Sequence, residues 1–309
     1  MAPRLGVAFV PSLPPEALLP LARAADEHLD DLWVWEDCFK ESGIASATAA
    51  LASTQRVRVG LGLMPAPLRN VALTAMEVAT LHRLFPGRFV PGVGHGVQDW
   101  MGQVGVRAAS PMTLLEEYLT ALRRLLDGEE LTVDGRYVHL DRVQLDWPPE
   151  PGAVLMAGGS GPRTLDLCAR LGDGVLLAAG LSETELAGAA DRARAASGDP
   201  DVEVVYSVVA AAGPEAQARA DADLALWGVA ADPTRTAAGG PEEIAAAVRR
   251  SADAGATTVV LQPTSDVTDV TELVALVEMI GREVRPLLRR AGGGIPALHG
   301  ARGLGKGSE

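Results

Sequence analysis

The sequence predicts an α/β fold, a closed (β/α)8 TIM barrel, and two patterns along its 309 residues indicate this. Short apolar and β-branched runs alternate with longer helical patterns eight times, which favours a barrel over a doubly wound open sheet. The short runs are also hydrophobic almost throughout, as parallel strands covered by helices are. An open sheet is the alternative if the true number of strands differs from eight.

Most of the predicted strands lead into a segment with helical spacing. Asn70 and Ser110 are expected helix N-caps, and Pro111 follows Ser110 at the first helical position. Glu242 and Glu243 suit the first turn of a later helix, where the helix dipole favours acids. The predicted strands span residues 5–10, 32–35, 57–64, 88–93, 154–157, 174–178, 202–209 and 257–262.

One segment, residues 129–147 between the fourth and fifth strands, departs from the alternation. Residues 131–133 and 136–138 are predicted as two short strands, and Asp134-Gly135 as the tight turn that joins them. The sequence therefore predicts a hairpin inserted between strands four and five, at the surface beside the barrel mouth.

Composition excludes several classes of function. The net charge of −13 argues against a surface that follows nucleic-acid phosphates, and no apolar run reaches the roughly 18 to 20 residues of a membrane span. Cys38 and Cys168 are the only cysteines, and the histidines lack metal-ligand spacing, so we expect a cytoplasmic protein with no metal site. The glycine-rich residues 291–309 are expected to form a disordered tail after a domain of residues 1–290.

Residues 158–162, Gly-Gly-Ser-Gly-Pro, are the sharpest local motif. They come directly after a predicted strand and open a helix, so that free backbone N–H groups and the positive helix end could bind an anion. The alternative is a tight turn that merely needs glycine. The spacing matches neither a P-loop nor a Rossmann fingerprint.

Two other glycine clusters end the third and fourth strands, at residues 60–65 and 92–96. The glycines at 60–65 predict a bulge or a close approach of the backbone, and the alternating glycines at 92–96 predict a place where a flat ring lies against the backbone. The alternatives are a simple bend before Pro65 and a flexible loop around His95.

Glu36 and Asp37 follow the second strand, at the barrel end where catalytic residues lie in this fold. One of the two carboxyls could stay protonated beside the other and act as a general acid. The alternative for each is a capping or salt-bridged acid. Asp37, Glu36 and His95 are therefore the candidate catalytic residues.

Several segments, taken in order, resemble the bacterial luciferase-like superfamily of flavin- and F420-dependent oxidoreductases, and the F420 branch with methylenetetrahydromethanopterin reductase-like proteins most strongly. They are residues 32–37, 56–62, 69–73 with 79–81, 86–94, 134–137, 158–163 and 172–174.

The resemblance implies a cofactor across the barrel mouth, with F420 expected and FMN as the alternative. It also implies a bulge in strand three with a non-proline cis bond, here Gly62-Leu63, and a cofactor phosphate on the glycine motif. A small-molecule substrate is expected, and dimers are common in the family. The implied cofactor-binding residues are Gly62, Leu63, Gly94, Gly158, Gly159, Ser160, Ala178 and Gly180.

The sequence differs at two places from the sugar-phosphate dehydrogenases of this family. Asp37 stands where they have a catalytic histidine, and Val97 stands where they have a glutamate, so oxidation of a sugar phosphate is not expected. The expected function is hydride transfer between F420 and a small organic carbonyl, imine or activated alkene. The alternatives are an FMN-dependent monooxygenase and a catalytically silent flavin-binding protein.

Overall fold

The computed structural model describes residues 2–290, so the expected tail at 291–309 lies outside the described residues. The chain forms eleven strands and eleven α-helices in this part. The strands are β1 Arg4–Ala8, β2 Asp31–Val34, β3 Arg58–Pro65, β4 Phe89–Gly94, β5 Leu131–Asp134, β6 His139–Val143, β7 Met156–Gly158, β8 Gly174–Leu177, β9 Glu203–Ala212, β10 Thr236–Gly239 and β11 Thr258–Pro263.

Eight of these strands close into a parallel barrel in the order β1-β2-β3-β4-β7-β8-β9-β11, and β11 pairs back to β1. The predicted (β/α)8 barrel is confirmed, and the open sheet is excluded by the closure. Each barrel strand corresponds to one predicted from the sequence, with ends shifted by a few residues.

The helices cover the outside of the barrel, and their starts follow the predicted caps. The Asn70 side chain accepts the N–H of Ala72, and the Ser110 side chain accepts that of Thr113. The helices are α1 Leu18–His28, α2 Gly43–Ala52, α3 Val71–Leu84, α4 Gln98–Gln103, α5 Pro111–Leu126, α6 Pro162–Leu171, α7 Glu183–Ser197, α8 Ala216–Leu226, α9 Pro241–Asp253, α10 Val270–Met279 and α11 Arg285–Arg290. Among residues 2–290, none is long and apolar enough to cross a membrane.

The β5–β6 hairpin lies between β4 and β7 in the chain, but its predicted two-residue turn is wrong. Asp134 pairs with His139, so a four-residue loop joins the strands. The carboxylate of Glu117 on α5 accepts the backbone N–H groups of residues 136–138 and holds this wider loop. A contact with a helix outside the hairpin therefore sets the turn.

Two further elements differ from the prediction. The sequence pattern does not predict strand β10, which pairs with the end of β9 above the barrel. The last predicted helix is divided, because α10 ends before a π-helical turn, Ile280–Val284, and α11 then begins. Pro286 has no N–H for a continuous helix, which explains the interruption.

The middle of the barrel is filled by two large side chains that lie against glycines. A Cβ at Gly60 would lie 2.3 Å from the Trp33 ring, and one at Gly92 would lie 2.3 Å from Leu176 Cδ1. Trp33 is buried with Val90, Met156 and other apolar residues in an inner cluster. These glycines are therefore required by packing within the barrel, because Trp33 and Leu176 take the space beside Gly60 and Gly92.

The N-terminal end of the barrel is closed by charged side chains. The Asp31 carboxylate is fully buried and accepts hydrogen bonds from Arg4 (2.6 Å) and Arg58 (2.8 Å). Arg58 also donates to Glu203 at 2.7 Å, and Thr258 donates to Glu203 at 2.9 Å. Burial disfavours the charge of Arg58, but the hydrogen bonds to both acids outweigh burial and raise its pKa.

We predict that Arg58→Met lowers the free energy of unfolding by about 1.5 to 3 kcal/mol, because it removes the charged hydrogen bonds to Asp31 and Glu203 while Asp31 keeps its pair with Arg4. Arg124→Met is the matched control, since the Arg124–Glu129 pair is solvent-exposed and contributes about 0–1 kcal/mol. Urea unfolding of both variants measures the difference. Equal losses in the two variants would show that the cluster at the barrel end adds nothing.

Candidate active site

The C-terminal end of the barrel gathers most of the predicted site residues. Asp37, His95 and Gly159, in the loops after β2, β4 and β7, meet Leu63 of β3 at this end, and all four residues are half-buried. Partial burial is what a depression that admits a ligand requires, since fully buried groups cannot touch one.

The expected cis bond is present between Gly62 and Leu63 in β3. The pairing of β3 with β4 shifts register between Leu61 and Met64, so the predicted bulge is confirmed as well. A Cβ at Gly94 would lie 2.6 Å from Leu63 Cδ2, and one at Gly158 would lie 3.0 Å from the same atom. The Leu63 side chain therefore lies against the ends of both β4 and β7.

His95 lies beside the glycine motif. A Cβ at Gly159 would come within 3.3 Å of the His95 ring and within 2.5 Å of Thr164 Cγ2. Burial lowers the pKa of His95 below its ordinary value of 6.5, so the ring is neutral at pH 7. The structure thus brings together two candidates that are about sixty positions apart in the sequence.

The glycine motif leads into α6 as predicted. Gly161 is the N-cap with φ of +90°, a conformation that favours glycine, and the space beside its Cα is open. Ser160 and Arg163 are exposed. The first-turn N–H groups of a helix have no partner within it, and the segment 158–164 carries no acid, so this loop can accept an anion.

The two candidates after β8 are placed differently. Ala178 is exposed, whereas Gly180 is buried. A Cβ at Gly180 would lie 3.1 Å from Val229, and the Gly180 carbonyl accepts a hydrogen bond from Arg235. The segment after α8 therefore covers Gly180, and of this pair only Ala178 is open to a ligand.

Glu36 and Asp37 have different surroundings. The Glu36 carboxylate pairs with Arg69 at 3.2 Å and accepts the N–H of Gly43 at 3.0 Å. Burial nevertheless raises the pKa of Glu36, against the opposing effects of Arg69 and the backbone N–H groups. Glu36 is thus held within protein contacts, as the salt-bridged alternative anticipated.

The Asp37 carboxyl makes no hydrogen bond to another described residue. Burial raises the pKa of Asp37, the charge of Glu41 raises it further, and Lys40 lowers it. A half-buried carboxyl that retains its proton above the usual range is suited to proton exchange with a ligand.

Sequence reasoning missed two polar side chains in the barrel wall. Ser207 on β9 and Gln262 on β11 each follow by two positions a valine of the inner cluster, so they face the barrel interior. Ser207 is half-buried. The available signal was a polar residue at an inward position of an otherwise apolar strand. In the described part of the chain, no group of three or more acidic, His or Cys side chains could hold a metal ion.

A family model described as luciferase-like monooxygenase matches residues 4–275. The chain belongs to this family, and the resemblance seen in the sequence is confirmed at that level.

Two relatives show what the chain is similar to. It is 28% identical over 173 residues to a 5,10-methylenetetrahydromethanopterin reductase of Methanolobus tindarius, covering 56% of this chain and 53% of that protein. It is 31% identical over 185 residues to an F420-dependent glucose-6-phosphate dehydrogenase of Nakamurella multipartita, covering 54% and 53%. The chain therefore spans about half the length of these curated relatives in each match.

Solved structures share the fold over nearly the whole chain. An F420-dependent tetrahydromethanopterin reductase of Methanopyrus kandleri has a TM-score of 0.78 at 18% identity, with 93% of this chain and 100% of that chain covered. A monooxygenase of Streptomyces bottropensis has a TM-score of 0.80 at 19% identity, with 92% and 99% covered. At these identities the likeness concerns the fold.

We predict that the His95 ring titrates with a midpoint below pH 6.5, as burial requires. Because the unfolded chain takes up this proton more readily, the contribution of His95 to stability falls as the pH drops through that range. NMR of the ring Cε1–H signal against pH, assigned with a His95→Gln variant, measures the midpoint. A midpoint at or above 6.5 would place the ring in water and away from Gly159.

Proposed function

We propose that the protein transfers hydride between coenzyme F420 and a small organic substrate at the barrel mouth. The observation that carries the proposal is the placement of an anion-accepting glycine loop, a neutral His95 and a half-buried Asp37 at one end of the barrel. The names of the F420-dependent relatives support it.

The residues present suit a cofactor that has both a flat ring and a phosphate. Gly158 is buried at the end of β7, so Gly159 and Ser160, with the first turn of α6, would hold the phosphate by backbone N–H groups. Leu63 and Ala178 would contact the rest of the cofactor, whereas the buried Gly94 and Gly180 would act through the fold of their segments. F420 itself supplies two-electron hydride chemistry, and the protein supplies orientation and exclusion of water.

Asp37 would hold or accept the proton that accompanies hydride transfer. Its raised pKa keeps a larger protonated fraction than an exposed aspartate has at the same pH. Glu36 would serve as its structural neighbour, because its carboxylate is occupied by Arg69 and Gly43.

The substrate class follows from the loops after β2 and β4. Trp35 and Trp100 are half-buried there, and Val97 is exposed. Arg107 near this rim is paired with Asp99. Apolar walls suit an uncharged carbonyl, imine or activated alkene better than a sugar phosphate, which would need cations.

An FMN-dependent monooxygenase is the second candidate, favoured by the shared fold of the Streptomyces bottropensis enzyme. A silent flavin-binding protein is the third, although storage alone gives no reason for Asp37 at the mouth. Fluorescence titration with F420 and with FMN separates the first two, and failure to bind either contradicts all three.

We predict that Ser160→Asp weakens F420 binding about tenfold or more, because its carboxylate would meet the cofactor phosphate with like charge. Ser160→Asn is the matched neutral control and should bind within about threefold of the wild type. Ser160 is a cleaner position than Gly159, where any Cβ would press on Thr164. Equal affinities for the Asp and Asn variants would reject the phosphate site.

We predict that Asp37→Asn slows hydride transfer by about 100-fold or more with little change in F420 affinity, the effect typical of lost acid–base catalysis. Stopped-flow absorbance with a substrate found by screening against reduced F420 measures the rate. Glu36→Gln should instead change stability or substrate affinity. A wild-type rate in Asp37→Asn would leave His95 or a water as the proton carrier.

A further inference from the structure

The loop that carries Asp37 is closed by a single side chain. Glu36 lies just after β2, and its Oε2 accepts the N–H of Gly43 in the first turn of α2 at 3.0 Å. Residues 37–42 form the loop between these two points. The Glu36 carboxylate therefore joins the two ends of the loop and fixes where Asp37 leaves the strand.

The first turn of α2 is built to receive this carboxylate. A Cβ at Gly43 would lie 2.9 Å from Glu36 Oε2 and 2.5 Å from Leu61 Cδ1. Only a glycine leaves room for Glu36 between the helix and β3. The hydrogen bond that closes the loop thus depends on Gly43 having no side chain.

Arg69 holds the same carboxylate from the opposite side. Its Nη2 lies 3.2 Å from Glu36 Oε1, and its Nη1 lies 3.4 Å from Glu77 Oε2 on α3. The side chains of Arg69 and Glu36 are only 14% and 9% exposed. A carboxylate this deeply buried needs a cation to stay ionised, and only the ionised form is a strong acceptor for Gly43.

We propose, on the basis of the function proposed above, that Arg69 is a positioning residue for Asp37 and acts through Glu36. With Arg69 present, Glu36 keeps the loop closed and Asp37 half-buried. Without it, the closing contact weakens, the loop opens, and Asp37 becomes hydrated.

The test uses the full chain without cofactor, so that it does not depend on activity. Hydrogen exchange of residues 37–43, which include the Gly43 N–H that Glu36 accepts, reports loop closure, and ¹³C NMR of the Asp37 carboxyl reports its pKa. In Arg69→Met we expect the exchange of these N–H groups to speed up about tenfold or more, because the loop opens. Because Asp37 is then hydrated, we expect its pKa to fall toward its ordinary value of 3.8. The charged groups acting on Asp37 are Glu41 and Lys40 of its own loop, and neither is altered by the substitution.

Two variants separate positioning from general destabilisation. Arg69→Lys keeps the positive charge but cannot contact Glu36 and Glu77 with two separate nitrogens. It should therefore retain part of the upward shift in the Asp37 pKa. Arg219→Met is the matched control, because Arg219 also bridges two acids, Asp266 and Glu272. This substitution should leave the pKa of Asp37 unchanged.

The proposal is overturned if Arg69→Met lowers the melting temperature but leaves the Asp37 pKa and the loop exchange as in the wild type. It is also overturned if Arg219→Met shifts the pKa of Asp37 by the same amount as Arg69→Met. Failure of the proposed function gives a different result, a wild-type hydride-transfer rate in Asp37→Asn, and leaves these measurements on the loop unaffected.

Discussion

The packing of Trp33 and Leu176 inside the barrel is the constraint on which the site depends. Eight strands enclose a space that side chains must fill, and here two large ones fill it against Gly60, Gly62 and Gly92. With the middle of the barrel occupied, a ligand can enter only above these side chains, at the C-terminal ends of the strands. Packing therefore decides where chemistry can take place.

Ionisable side chains are paired at one end of the barrel and shifted toward their uncharged forms at the other. At the N-terminal end, Arg58 lies between Asp31 and Glu203, and the charges compensate one another within the protein. At the mouth, burial shifts Asp37 toward its protonated form and His95 toward its neutral form. Groups pushed toward their uncharged states at one cleft are characteristic of sites that exchange protons with a ligand.

The sequence predicted those features that short segments determine. The eight barrel strands, the N-caps at Asn70 and Ser110, and the loop that opens α6 all follow from local spacing and residue type. The family resemblance added the cis bond at Gly62-Leu63. Strand β10 was missed because three of its four residues, two alanines and a glycine, have weak strand preference and are held by pairing with β9.

Contacts between distant segments were beyond local reasoning. Glu36 meets Arg69 across 33 positions, and Gly180 is covered by Arg235, which lies 55 positions later. The Arg69 contact makes Glu36 a supporting residue for Asp37 in the proposed mechanism. The Arg235 contact helps to bury Gly180. Both depend on how loops of neighbouring strands meet at the mouth.

The proposed mechanism requires the cofactor to lie across the barrel mouth with its phosphate on the loop at the start of α6. A crystal structure of the complex with F420 tests this most directly. We expect the phosphate within hydrogen-bond distance of the backbone N–H groups between Gly159 and Gly161, and the ring beside Leu63. Density for the phosphate at any other helix end, or for the ring outside the barrel mouth, would contradict this placement.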